Sequence, residues 1–97
     1  MSSTVTERCA YVRLRGRVQG VGFRYWTRSQ AMQLGIRGWV RNCADESVEA
    51  MLCGPEPDLQ TMLKRLRRGP VMARVESMEI RWLDITPENS GFQIIYP

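Results

Sequence analysis

Histidine is absent from this 97-residue chain. Its absence removes the usual base at neutral pH, the commonest metal ligand and any Ser-His-Asp or Cys-His arrangement. Lysine is nearly absent: Lys64 stands alone among the 14 basic residues, and the rest are Arg. The three cysteines, Cys9, Cys43 and Cys53, form no CxxC pair, so no zinc site is expected. There are no paired carboxylates suited to a two-metal site. There is no GxxxxGK[ST] run, hence no Walker lysine and no adjoining magnesium hydroxyl. No apolar run approaches the length of a membrane span. Met1 to Arg8 lacks the apolar segment of a secretory signal. No membrane partner and a cytoplasmic location are therefore expected. Internal repeats and low-complexity tracts are missing too.

What is present suits one small domain. The apolar fraction of 43% argues against disorder. The formal charge of +4 reads as an Arg-biased, solvated surface. A nucleic-acid footprint would need that charge gathered on one face, whereas a modest positive field already helps to collect a small anion.

Periodicity divides the chain. Cys9 to Arg15 alternates, with Ala10, Val12 and Leu14 on one face and Cys9, Tyr11, Arg13 and Arg15 on the other, as in a half-buried strand. From Phe23 to Leu34 the spacing becomes helical through Phe23, Thr27, Ala31 and Leu34, and Gly35 ends the helix. Ile36 to Arg41 is a second strand. Ser47 to Cys53 is a third, with Val48, Ala50 and Leu52 opposite Glu49, Met51 and Cys53. Gly54-Pro55-Glu56-Pro57 punctuates the chain before a second helix with an apolar stripe of Leu59, Met62, Leu63 and Leu66, stopped by Gly69-Pro70. Val75 to Leu83 forms a fourth strand, Thr86 to Gly91 a turn region, and Phe92 to Tyr96 a short last strand.

This order predicts an α/β (α+β) fold of ferredoxin-like, split βαβ type. Two helices cover one face of a mainly antiparallel sheet of four to five strands. The third strand lies between parallel first and second strands. The end of the first strand, the start of the first helix and the end of the second strand then meet at one rim. Arg24 and Asn42 are brought towards each other there.

Gly16-Arg17-Val18-Gln19-Gly20-Val21-Gly22-Phe23-Arg24 joins the first strand to the first helix. Glycine permits a tight curve, successive N–H groups in such a curve form an anion nest, and the orphan amides of a helix start favour an anion as well. Arg24 can add charge-assisted bonds in fixed geometry. The helix dipole opposes a cation in the first turn, and a bound dianion would offset that opposition. The alternative is an ordinary strand–helix turn with a solvated Arg24. The glycines do not follow GxGxxG, so a metal-free reaction on a small phosphate compound fits better than nucleotide binding. Asn42 reads either as a turn-capping residue or as part of this rim.

With these residues in view, the chain closely resembles the acylphosphatase family. The likeness begins with Gly16 to Arg24 and continues through Leu34-Gly35-Ile36-Arg37-Gly38-Trp39-Val40-Arg41-Asn42. It then takes in Ser47-Val48-Glu49, Gly54, Gly69-Pro70, Ala73-Arg74-Val75-Glu76 and Phe92-Gln93-Ile94-Ile95-Tyr96. It spans nearly everything beyond a short N-terminal extension, giving an expected extension over 1–7 and one domain over 8–97.

The resemblance implies hydrolysis of acyl phosphates to a carboxylate and inorganic phosphate, with no metal and no cofactor. It implies Arg24 as the phosphate-binding arginine, Gln19, Gly20, Val21, Gly22 and Phe23 as the phosphate loop, and Asn42 as the group that orients the attacking water. A monomer acting on a small molecule is expected. Tyr25 and Trp26 are candidates for bordering the acyl group, with packing as their other role. One departure stands out: Asp45-Glu46 occupies a hairpin where the family usually carries Asp-Gly. Glu takes the left-handed conformation only at a cost, so the turn beside Asn42 is expected to differ, with Asp45 or Ser47 bonding the backbone.

Cys9 begins the first strand and Cys53 ends the third, on the face away from the helices. Facing Cα atoms in such a pair lie roughly 4.5–5.5 Å apart, so a Cys9–Cys53 disulfide is feasible, and two free thiols in a reducing compartment are the alternative. Cys43 has no activating partner in sequence. Tyr11, Arg13 and Arg15 invite an RNA-binding reading of the open sheet face. The aromatic pattern of an RNA-recognition module is missing, so no nucleic-acid partner is expected. A regulatory or maturation domain of the same fold with weak activity is the other alternative.

Overall fold

The computed structural model describes residues 6–85 and 90–96. Residues 1–5 of the expected extension and 86–89 of the expected turn lie outside the described residues. Seven elements follow in order: β1 (Glu7–Arg17), α1 (Phe23–Leu34), β2 (Arg37–Asn42), β3 (Val48–Pro55), α2 (Glu56–Arg68), β4 (Arg74–Leu83) and β5 (Phe92–Ile95). They build one five-stranded sheet in the order β4-β1-β3-β2-β5. All neighbours are antiparallel except β2 and β5. The two helices pack on the sheet, giving the ferredoxin-like α+β architecture that the alternation implies.

Several bounds differ from the sequence reading. β1 gains Glu7 and Arg8 at its start and Gly16 and Arg17 at its end, because both edges find partners. Glu7 faces Pro55, Arg8 faces Gly54, and a β-bulge at Arg15/Gly16 carries the pairing on to Arg74 of β4. Gly54 and Pro55, read as punctuation, are therefore strand residues. Proline is tolerated at this strand end, where its missing N–H interrupts little of the ladder.

The core follows the alternation. Val12 and Leu14 of β1, Val40 of β2, and Val48, Ala50 and Leu52 of β3 are buried, with Phe23 and Ala31 of α1 and Leu59, Met62, Leu63 and Leu66 of α2 above them. Val18 and Phe23 matter most for position. Val18 ends its strand connection wholly buried and Phe23 starts α1 almost wholly buried, so the intervening loop is pinned at both ends. Removing the Phe23 ring would cost about 3–5 kcal/mol and free one of those ends.

At the far end of β1 and β3, Cys9 and Cys53 are register partners joined by a disulfide, with Cα atoms 4.1 Å apart. No helix among the described residues is long and apolar enough to cross a membrane.

Candidate active site

The loop from Gln19 to Gly22 turns the chain from β1 into α1. Gly20 has φ 73° and Gly22 has φ 76°. A Cβ added to either would meet nothing within 4 Å, so the backbone conformation, not crowding, selects glycine there. Gly22 caps α1 without a side-chain hydrogen bond, and no acidic residue stands in the first turn. Its carbonyl accepts the first helical bond from Trp26 N at 3.0 Å. The amides ahead of Trp26 are left without an intrahelical acceptor, as at any helix start. This end of α1 is a curve of donors with a partial positive charge and no negative group of its own.

Val21 and Phe23 take part in this curve with their backbones, since their side chains pack into or against the core. Gln19 behaves differently again. Its Nε2 donates to Cys43 O and to Ser47 O, both at 2.9 Å. Those two carbonyls belong to the turn between β2 and β3, immediately after Asn42. One side chain thus fastens the loop to the end of β2.

That turn shows how the Asp45-Glu46 departure is accommodated. Glu46 is the sole non-glycine with positive φ among the described residues, at 71°. Asp45 Oδ1 accepts from Ser47 N at 3.1 Å and also from the Ser47 hydroxyl. Cys43 N donates to Ser47 O at 2.8 Å and closes the hairpin. Arg13 and Arg15 of β1 pair with Asp45 Oδ2 at 3.4 and 3.0 Å. Bonds from the Ser47 hydroxyl and amide, then from Arg15, hold the Asp45 carboxyl well below the usual carboxylate range. The aspartate substitutes local hydrogen bonds for the freedom a glycine would have supplied.

Asn42 is the last residue of β2, and its Oδ1 is buried with no hydrogen-bond partner among the described residues. A buried amide oxygen left unpaired is costly, by about 1–3 kcal/mol, unless a donor visits it. The other such atom, Thr27 Oγ1, lies on the buried face of α1.

Arg24 is the second residue of α1, and its guanidinium carbon lies 5.1 Å from the centroid of the Tyr96 ring. Parallel pairing of β2 and β5 sets Arg41 against Ile95, so Tyr96 follows Ile95 just as Asn42 follows Arg41. The Arg24 head therefore rests where β5 ends beside β2. Tyr25 Oη and Tyr96 Oη are 3.1 Å apart. Trp26 turns instead onto Phe23, edge to face at 5.6 Å. Of the two aromatic candidates for the acyl border, Tyr25 is exposed on the rim and Trp26 packs.

Tyr96 escaped the sequence reading because its position depends on β5 lying parallel to β2, a pairing that periodicity does not reveal. Glu49 escaped it as well. This carboxylate lies on the open sheet face yet is buried. It accepts from the Tyr11 hydroxyl, from Arg41 and, at 3.1 Å, from Arg13. Burial opposes its charge, but the Tyr11 bond and the Arg41 and Arg13 charges outweigh that and lower its pKa. The run Tyr11-Arg13-Arg15 is thus spent on Glu49 and Asp45. Among the described residues no three His, Cys, Asp or Glu side chains converge as a metal site.

The model of the Acylphosphatase family matches residues 10–94. An acylphosphatase of Rhizobium etli is 56% identical over 68 residues, covering 70% of this chain and 72% of its own. One from Aeromonas hydrophila is 51% identical over 86 residues, covering 89% and 94%. The crystal structure of acylphosphatase from Bacillus subtilis superposes with a TM-score of 0.89 at 31% identity, over 92% of this chain and 99% of that one.

Proposed function

We propose that this chain, which belongs to the acylphosphatase family and hydrolyses acyl phosphates, does so by holding the phosphoryl group at the start of α1 and presenting water to it from Asn42. In this reading the amides of Gln19, Gly20, Val21, Gly22 and Phe23 and the guanidinium of Arg24 surround the phosphoryl oxygens. Charge on those oxygens is spread and stabilised as the bond to the leaving group opens. The amides stand on a loop pinned by Val18 and Phe23, so little reorganisation accompanies binding.

The reaction asks little else of the protein. Water oxygen bonds to phosphorus, the bond from phosphorus to the acyl oxygen breaks, and its electron pair leaves on the carboxylate. The water proton passes to a phosphoryl oxygen, so R–CO–O–PO₃²⁻ and water yield R–COO⁻ and H₂PO₄⁻. A carboxylate leaves without a general acid, which suits a chain with no His. Asn42 is too weak a base to take the proton, but its amide oxygen can accept from water and fix the angle of attack.

The observation that carries this reading is the buried Oδ1 of Asn42 at the end of β2, unpartnered among the described residues. The Gln19 side chain ties the phosphate loop to the same turn and keeps the two halves in register. The substrate is a small acyl phosphate met by a monomer without metal or cofactor. Arg13, Arg15 and Arg41 of the open face are engaged by Glu49, Asp45 and Glu79, which favours this rim over a nucleic-acid surface.

Substituting Asn42→Ala tests the assignment. Turnover of an acyl phosphate falls by about a hundredfold, the scale of losing one transition-state donor or orienting contact, while inhibition by inorganic phosphate is retained. Undiminished turnover would remove Asn42 from the mechanism.

A further inference from the structure

We propose that Tyr96 is a positioning residue for Arg24: its ring holds one face of the guanidinium and leaves the N–H edge turned to the phosphoryl group. The proposal rests on the reading of Arg24 as the phosphate clamp.

The argument begins with the arginine itself. Arg24 stands in the first turn of α1 with no acid beside it there. Among the described residues it makes no ion pair, and its guanidinium carbon lies over the Tyr96 ring, 5.1 Å from the centroid. A free arginine side chain carries substantial rotamer entropy, and a clamp that must be ordered on each binding event loses affinity. The aromatic face attracts the guanidinium and restricts it before any ligand arrives. Stacking uses the face of the guanidinium, whereas bonds to phosphate oxygens use its edge, so the two do not compete.

Tyr96 is itself held. Its hydroxyl meets the Tyr25 hydroxyl at 3.1 Å, which ties it back to the same turn of α1 that carries Arg24. One turn further on, Arg28 Nε donates to Phe92 O at 3.2 Å and fixes α1 to the start of β5. The end of β5 and the start of α1 thus form a frame around the arginine. Tyr96 is exposed and follows the last residue of β5, so replacing it leaves the core untouched.

The test measures the inhibition constant of inorganic phosphate, together with KM and kcat for acetyl phosphate, in Tyr96→Leu, Tyr96→Phe and Tyr96→Trp chains. The same measurements are made for Arg24→Ala alone and combined with Tyr96→Leu. Tyr96→Leu weakens phosphate inhibition and raises KM by about two- to fivefold, with kcat changed less. Tyr96→Phe keeps the ring and stays near the parent. Tyr96→Trp, the strongest partner for a cation, equals or exceeds it. In the Arg24→Ala background, Tyr96→Leu has no further effect on phosphate, an outcome that a general structural role would not produce. The proposal is overturned if Tyr96→Leu leaves phosphate binding unchanged or tightens it, or if it weakens binding equally without Arg24. An Arg24→Ala chain that binds phosphate as well as the parent would instead overturn the clamp reading beneath it.

Discussion

The two helices of this sandwich begin in opposite electrical states. Neither start has a side-chain cap. α2 carries Glu56 and Asp58 in its first turn and Arg65, Arg67 and Arg68 in its last, so its own side chains complement the dipole at both ends. α1 begins at Gly22 with no acid in its first turn and with Arg24 there instead. The difference teaches where the chain complements a helix dipole with its own side chains and where it leaves that end uncomplemented. Removing Arg24 is the largest way to break the contrast. Arg24→Ala lowers kcat/KM for an acyl phosphate by about 3 kcal/mol of transition-state stabilisation. The melting temperature should move little, because loss of the Tyr96 contact is set against relief of a cation at a helix start. Stability falling in step with activity would make Arg24 a structural arginine like those elsewhere.

The open face supplies such arginines. Arg13 and Arg41 meet Glu49, and Arg15 meets Asp45, with three strands joined through one buried carboxylate. Glu49→Gln should cost about 2 kcal/mol of stability, the scale of a hydrogen bond to a charged group, and should leave phosphate inhibition nearly intact. The pH dependence has a definite sign. The folded pKa of Glu49 is lowered, as is that of Asp45. Their contribution is fully present above the ordinary carboxylate pKa and is lost as pH falls through the lowered folded values. Below about pH 4 the parent therefore loses stability more steeply than Glu49→Gln, measured by chemical denaturation. Parallel curves would show that the Glu49 cluster contributes nothing to acid sensitivity.

Much of this contrast could be read in the sequence, and the part that could not has a physical cause. The helical stripe from Leu59 to Leu66 and the alternation from Cys9 to Arg15 fix two layers and one buried face. The split βαβ order then brings the Gln19 loop to the turn after Asn42, as its two bonds there record. Side-chain destinations were less legible. Gln19 read as one more cradle residue, yet its amide group serves the neighbouring turn. Glu49 alternates outward with Met51 and Cys53, yet it is buried, because Tyr11, Arg13 and Arg41 converge on it from adjacent strands. Such convergence depends on register, which periodicity leaves open. Asp45-Glu46 read as a departure that unsettled the turn, and the Asp45 bonds to Ser47 are what let Glu46 hold its positive φ.

The loop allows a narrower test of the α1 start. Gly22→Ala adds a methyl group that meets nothing, so its effect comes from forcing φ 76° on a residue with a Cβ. That strain is worth about 1–2 kcal/mol, and the chain can relieve it by rotating the loop. Relief would appear as weaker phosphate inhibition with a small loss of stability; retained strain would appear as lost stability with inhibition unchanged. The first result makes the Gly22 conformation part of the anion site, and the second confines it to helix geometry.

The smallest effect belongs to α2 and sharpens the comparison from the other side. Glu56→Gln combined with Asp58→Asn removes both acids from its first turn. Each should lower stability by about 0.3–1 kcal/mol at low salt, and the loss should shrink as salt screens the helix end. Glu56 also meets Arg8 at 3.3 Å, but both groups are partly exposed, so that pair adds little. Activity should not change, since α2 begins beside Thr6, where Glu56 N donates to Thr6 O, at the opposite end of β1 from the Gln19–Gly22 loop. A neutralised α2 start that acquired measurable phosphate affinity would mean that removing acids is enough to make an anion site. Continued indifference to phosphate would mean that α1 also needs its glycine curve and its arginine.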